Sequence, residues 1–151
     1  RRTRKSYRLP SSGINEIMPQ PQTILFVCEH GAAKSVIAAA HFNKLASEKN
    51  LDVRAIARGT NPDEELSPKT ITGLQADGLT PTESIPQKLS LTDVESAQRV
   101  VAFCELPEEY RNKANIETWD GVPPVSEDYE KARDAIVERI NRLIAEQKDR
   151  A

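Results

Sequence analysis

Short apolar runs alternate along this chain with longer stretches of helical periodicity. Thr23-Ile24-Leu25-Phe26-Val27 is continuously apolar and rich in β-formers, as expected of a strand covered on both faces. It ends at Cys28, passes through a tight segment containing Gly31, and enters a predicted helix over about 34–49, where Val36, Ile37, Ala40 and Leu45 form a broad apolar face. Asn50 stands where that helix should stop. Residues 52–58 predict a second strand and 59–65 a loop. Ser67-Pro68 opens a second helix, with Ile71 and Leu74 turned inward and Gly78 behind it as the stop signal. The Thr/Pro-rich stretch 79–88 reads as loop, 90–97 as a short helix or turn, and 99–103 as a further buried strand ending at Cys104. A helical turn over 107–112 and a weaker strand over 116–119 follow. Ser126 is placed to cap the last helix, with Glu127 and Asp128 in its first turn. Tyr129, Ala132, Ile136, Ile140, Leu143 and Ile144 then mark one face at helical spacing.

Buried strands alternating with helices predict an α/β fold: three layers, a four-stranded parallel sheet and helices on both of its faces. The natural doubly wound order is 2-1-3-4, and ligands in such sheets bind outside the carboxyl ends of the strands, where the order reverses. Cys28 ends the first strand, Cys104 the third, and Asp120 follows the fourth. All three fall on one edge.

Composition narrows the setting. With 151 residues, 38% hydrophobic and 29% charged, the chain reads as one soluble domain over 19–151. A net charge of −2 gives no reason to expect nucleic acid as a partner, and no apolar run is long enough to span a membrane. Two cysteines far apart do not form a secreted disulfide framework, so a reducing, cytoplasmic setting with both thiols free is expected. Residues 1–18 differ from the rest: Arg1, Arg2, Arg4, Lys5 and Arg8 make a basic, aperiodic tail, read as disordered. No apolar stretch follows these charges as a signal peptide requires, while a transit peptide and a start at Met18 are both compatible.

The segment Cys28-Glu29-His30-Gly31-Ala32-Ala33-Lys34-Ser35 joins a predicted strand to a predicted helix. Successive backbone N–H groups in such a turn, backed by the positive helix end, form a socket for a tetrahedral anion. The same field favours a thiolate. Ser35 is placed to donate its hydroxyl to the sulfur, and Gly31 permits the left-handed backbone of a wrapping loop. A thiolate beneath a bound oxyanion is a nucleophile placed behind phosphorus or arsenic. The oxyanion-binding residues read from this segment are Glu29, His30, Gly31, Ala32, Ala33 and Lys34. The two histidines and two cysteines lack metal-ligand spacing, and no cofactor is implied. His41 is a helix residue with no partner in view, and Trp119 reads as packing.

Strand, then Cys28-x5-Lys34-Ser35, then helix resembles the strand, Cys-x5-Arg-Ser, helix signature of the low-molecular-weight phosphotyrosine phosphatases and the thioredoxin-coupled arsenate reductases. The resemblance runs over about 23–145 and includes Ala57-Arg58-Gly59-Thr60, the stretch from Pro68 through Gly78-Leu79, the Val100-Val101-Ala102-Phe103-Cys104 strand and Trp119. It implies Cys28, Lys34, Ser35 and Asp120 as catalytic residues, and a phosphorylated substrate or a small oxyanion, phosphate or arsenate, as ligand. Three departures stand out. Lys34 replaces the family Arg and cannot make its planar fork. Gly31 replaces a bracing Asn. Pro123-Pro124 occupies the place of the phosphatases' Asp-Pro, leaving Asp120, slightly upstream, as the substitute general acid or else a solvated loop cap. Arsenate reductases carry a resolving cysteine at the end of the third strand, so Cys104 is either that thiol or an inert core cysteine; their further cysteine is absent from 105–112. The resemblance therefore implies a phosphatase using a phosphocysteine at Cys28. The alternatives are an arsenate reductase using Cys28 and Cys104, with thioredoxin as partner, and a non-catalytic oxyanion-binding module.

Overall fold

The computed structural model describes residues 22–111 and 115–150; the basic tail lies outside them. Four strands form one parallel sheet: β1 (Gln22–Cys28), β2 (Val53–Gly59), β3 (Arg99–Ala102) and β4 (Ile116–Thr118). Their order is β2-β1-β3-β4, with all pairs parallel, as the alternation predicts. Five helices connect them: α1 (Lys34–Glu48), α2 (Pro68–Ala76), α3 (Leu91–Ser96), α4 (Glu108–Arg111) and α5 (Tyr129–Arg150).

The continuous apolar run of β1 is divided between two cores. Ile24 and Phe26 point to one face of the sheet, where α1 and α5 pack with Ile37, Phe42, Ile136 and Ile140. Leu25 and Val27 point to the other, against Leu89, Val94 of α3 and Leu106. Burial of a strand on both faces removes any polar alternation, which is why the run reads as unbroken. The apolar face expected of α5 is buried from Ala132 through Ile144.

Helix ends follow local chemistry in most places. Asn50 adopts φ 57 after α1, a left-handed position that Asn tolerates, and Leu51 N–H donates to the Ala46 carbonyl. Ser67 caps α2 by accepting from Thr70 N–H, and Ser90 forms a capping box with Asp93 at α3.

Three local expectations are corrected. The cap of α5 is Asp128, whose carboxylate accepts from Lys131 N–H at 3.1 Å; Ser126 sits in the preceding turn, where its carbonyl receives Lys69 Nζ. A longer turn than the sequence suggests moves the helix start by two positions. Ile71 is 37% exposed while Leu74 is buried, because α2 turns only a narrow stripe onto α1 and α5. His41 does have a partner: its Nε2 lies 3.1 Å from Asp77 Oδ2, and the same carboxylate accepts from Tyr129 Oη and Arg133 Nη1. Burial lowers the His41 pKa, against the raising effect of Asp77. Burial also opposes ionisation of Asp77, but its three donors together hold its pKa below the usual carboxylate value. This network joins α1, α5 and the end of α2.

Candidate active site

β1 runs out at Cys28 level with Gly59 of β2, and Val27 is paired with Ala102 of β3. The loop from Cys28 to Lys34 therefore starts at the point where the sheet order reverses, between the ends of three strands. Its course is set by the segment that follows β2. Thr60 N–H donates to the Cys28 carbonyl, Asn61 to Glu29 (2.7 Å), Asp63 to His30 (3.0 Å) and Ser67 to Ala32 (3.0 Å). With those carbonyls drawn outward, the loop's own N–H groups face the other way. From Glu29 to Ala33 they donate to none of the described residues, which leaves a set of donors for an anion. Ala33, at the N-terminus of α1, makes no side-chain cap hydrogen bond, so the helix end adds its partial positive charge unopposed.

Gly31 explains how two loops come so close. It adopts φ +61, and a Cβ there would lie 3.0 Å from Gly59 N. At Gly59 an added Cβ would lie 2.6 Å from Gly31 N. Backbone packs on backbone at this crossing, and only paired glycines fit.

A cavity of about 380 Å³ opens over the loop. Cys28, Glu29, His30, Ala32, Ala33 and Lys34 line it from the loop itself. Asp63 and Ser67 reach it from the β2–α2 connection, Phe103 and Cys104 from the end of β3, and Val125 and Ser126 from the segment before α5. At its floor a hydrogen bond joins Cys28 Sγ to buried Ser35 Oγ at 3.0 Å. Lys34 lines the same cavity, and its Nζ donates to the Val122 carbonyl at 2.9 Å, tying the loop to the β4–α5 connection.

The two cysteines share this cavity. Both are free thiols, Cys28 buried and Cys104 half-buried. Burial, and then the proximity of Cys28 and Glu29, push the Cys104 thiol up to about 11, against the smaller lowering effects of a Thr60 hydrogen bond and Lys34. Cys104 is therefore protonated at neutral pH.

Asp120 is not among the residues that line the Cys28 cavity. It lines a neighbouring cavity with Arg111, Thr118 and Glu105, which shares Phe103 and Cys104 with the first, and its carbonyl is held by Arg139 of α5. Trp119 is buried among Phe26 and Phe103, the packing role expected of it. Sequence reasoning missed Asp63, Ser67 and Thr60. Their one signal was position: they follow β2, whose carboxyl end lies on the same edge as that of β1. Among the described residues no three His, Cys, Asp or Glu side chains are grouped so as to hold a metal ion, and no helix is long and apolar enough to cross a membrane.

Comparison with known proteins is consistent with this geometry. A family model described as low molecular weight phosphotyrosine protein phosphatase matches residues 23–150. The crystal structure of YfkJ from Bacillus subtilis is similar at a TM-score of 0.76 and 18% identity, covering 88% of this chain and 98% of that one. A low molecular weight protein tyrosine phosphatase from T. tengcongensis is similar at 0.73 and 21% identity, covering 83% of this chain and 99% of that one. A thioredoxin-dependent arsenate reductase from Corynebacterium glutamicum is similar at 0.69 and 18% identity, covering 92% of this chain and 68% of that one. At these identities the likeness establishes the fold.

Proposed function

The chain belongs to the low molecular weight phosphotyrosine protein phosphatase family, and we propose that it is a Cys-dependent phosphatase hydrolysing phosphomonoesters, protein-tyrosine phosphate among them, in the cytoplasm. The observation that carries this reading is the hydrogen bond between Cys28 Sγ and Ser35 Oγ at the base of a loop whose carbonyls are drawn outward. Mere anion binding needs no nucleophile beneath the anion; a phosphatase does.

In this mechanism the phosphoryl oxygens take the N–H groups of residues 29–34, and Lys34 balances their charge as a point cation. The Cys28 thiolate attacks phosphorus in line with the ester oxygen, forming a phosphocysteine as the P–O bond breaks. Water then displaces the sulfur and releases inorganic phosphate, so the reaction consumes only water and needs no cofactor. The test is rapid quenching during turnover of an aryl phosphate, followed by mass spectrometry under conditions that preserve a phosphothiol. Phosphate on Cys28 is the expected result. Hydrolysis undiminished in Cys28→Ala would overturn the proposal.

The sharing of one cavity by Cys28 and Cys104 favours a second reading. In an arsenate reductase, Cys28 would form an arsenic adduct and Cys104 would attack Cys28 Sγ. Two thiols would become a disulfide as arsenic(V) became arsenic(III), and thioredoxin would reduce that disulfide. The raised Cys104 pKa opposes the attack, since the thiolate is the attacking species. Consumption of the Cys28 charge in the adduct removes one cause of that shift. A disulfide between Cys28 and Cys104 after arsenate exposure would place this reading first. Binding of phosphate with neither product would leave an oxyanion-binding module.

A further inference from the structure

We propose that His30, held by Asp63, is the group that protonates the leaving alcohol or phenol; this rests on the phosphatase reading of the Cys28 cavity. The segment between β4 and α5 presents only Val125 and Ser126 to that cavity, so it supplies no titratable side chain there. Asp120 lines the neighbouring cavity instead. The proton must therefore come from another wall.

The titratable groups on the cavity besides Cys28 are Glu29, His30, Lys34, Asp63 and Cys104. Burial, and then the nearby Cys28 and Glu29, push the Cys104 thiol up to about 11, which makes it a weaker acid than a free thiol. Lys34 is committed to Val122 and to the anion's charge. The other three form one cluster at the rim. His30 Nδ1 lies 3.2 Å from Asp63 Oδ1, and its Nε2 lies 3.9 Å from Glu29 Oε1. In a group of two carboxylates and an imidazole, the ring alone has two nitrogens that can hold or release a proton while one of them stays bonded to a carboxylate. Asp63 at Nδ1 orients the ring and leaves Nε2 as the exchanging position.

The backbone makes this pairing more than a surface ion pair. Asp63 N–H donates to the His30 carbonyl at 3.0 Å, so imidazole and carboxylate sit on two segments stitched together at that very residue. The Gly31–Gly59 crossing holds those segments at contact distance. Half of the His30 side chain remains exposed, as a group facing an incoming ester must be.

The step balances as follows. The Cys28 thiolate forms the S–P bond, the P–O bond to the leaving group breaks, and the leaving oxygen takes the proton from Nε2 of the imidazolium while Nδ1–H stays with Asp63. In the second half, neutral Nε2 accepts a proton from the attacking water, the S–P bond breaks, and phosphate departs from a regenerated Cys28 thiolate. His30 would be a catalytic residue and Asp63 a positioning residue.

The experiment measures single-turnover phosphocysteine formation for a series of aryl phosphates of rising leaving-group basicity. Wild type should show a shallow dependence. In His30→Gln and His30→Asn, phenyl phosphate should slow by roughly 10²-fold more than p-nitrophenyl phosphate does, the low end for general acid catalysis. Asp63→Asn should give a smaller steepening, and none in the His30→Gln background. Retained protection of Cys28 from alkylation by inorganic phosphate identifies whichever His30 variant keeps its loop. An equal loss across the series would make His30 a binding or loop residue and overturn the proposal, as would a steepened series in Asp120→Asn. Absence of phosphocysteine from the wild type with every ester would defeat the phosphatase reading and this proposal with it. Phosphocysteine with an unchanged slope in both His30 variants would defeat this proposal alone.

Discussion

The carboxyl ends of β1 and β3 each deliver a cysteine to one cavity, yet they build opposite surroundings for it. Beyond β1 the chain turns into α1, of 15 residues, and the turn presents N–H groups that meet no acceptor among the described residues while Ser35 meets the sulfur. Beyond β3 the chain passes through 103–107 to α4, of only 4 residues, and no long helix end points back at Cys104. Its thiol is half-buried, close to the Cys28 and Glu29 charges, and held protonated. The same side chain on the same edge thus meets donors at one strand end and desolvation at the other. Placement on the edge makes a cysteine a candidate; the segment that follows it decides what it can do.

The contrast breaks most visibly at the nucleophile. Cys28→Ala should lower phosphatase turnover by about 10³-fold or more, as loss of a covalent nucleophile does, while phosphate still binds the loop in calorimetry. A loss of that size in Cys104→Ala instead would reverse the two ends.

The charge beside Cys28 comes next. Lys34→Ala should weaken phosphate binding and turnover by roughly 10²-fold, the scale of one lost donor to a developing oxyanion. Lys34→Arg should tighten phosphate binding by restoring a two-pronged contact. Calorimetric titration of the three proteins decides the matter, and equal affinities would remove Lys34 from the site.

The locked crossing sharpens the comparison through stability. Gly31→Ala forces a side chain into φ +61 with its Cβ 3.0 Å from Gly59 N, and should cost about 1–3 kcal/mol. Gly59→Ala should cost more, given a 2.6 Å approach to backbone. Urea denaturation midpoints provide the measurement. Unshifted midpoints would mean that the loop is not held by this contact.

The smallest effects belong to the β3 end. Cys104→Ser should leave phosphatase turnover little changed, because that chemistry uses one thiol, but should abolish multiple-turnover arsenate reduction. Alkylation of Cys104 should accelerate only as pH approaches about 11. Because the Cys28 charge is one of the causes that raise it, Cys28→Ala should move that profile to lower pH. A profile that stays in place would mean that the two thiols do not sense each other.

Much of the architecture was legible without coordinates, because it rests on local pattern. An unbroken apolar run read as a strand buried on both faces, and Ile24 and Leu25 indeed serve opposite cores. Helical spacing from Ala132 to Ile144 read as one buried stripe, and strand–helix alternation left β2-β1-β3-β4 as the natural order. The cysteine loop was visible for the same reason: strand, turn, glycine and helix start are contiguous in the chain.

Where the reading missed, the deciding contact was long-range in all but one case. His41 meets Asp77 from α2 and, through it, Tyr129 and Arg133 of α5. Ile71 lost its inward place because α2 shows the core only a narrow stripe. The cap of α5 fell to Asp128 rather than Ser126 by the local geometry of one turn. At the site itself, Asp63 N–H meets the His30 carbonyl across a hydrogen-bonded crossing of two loops, while Asp120 lines a different cavity and its carbonyl accepts from Arg139. Periodicity records which face of an element is buried, so sequence alone determined the sheet, its order and the Cys28 loop. The direction of a loop side chain depends on partners tens of residues away, so only the tertiary structure decided that Asp63 lines the Cys28 cavity and Asp120 the neighbouring one.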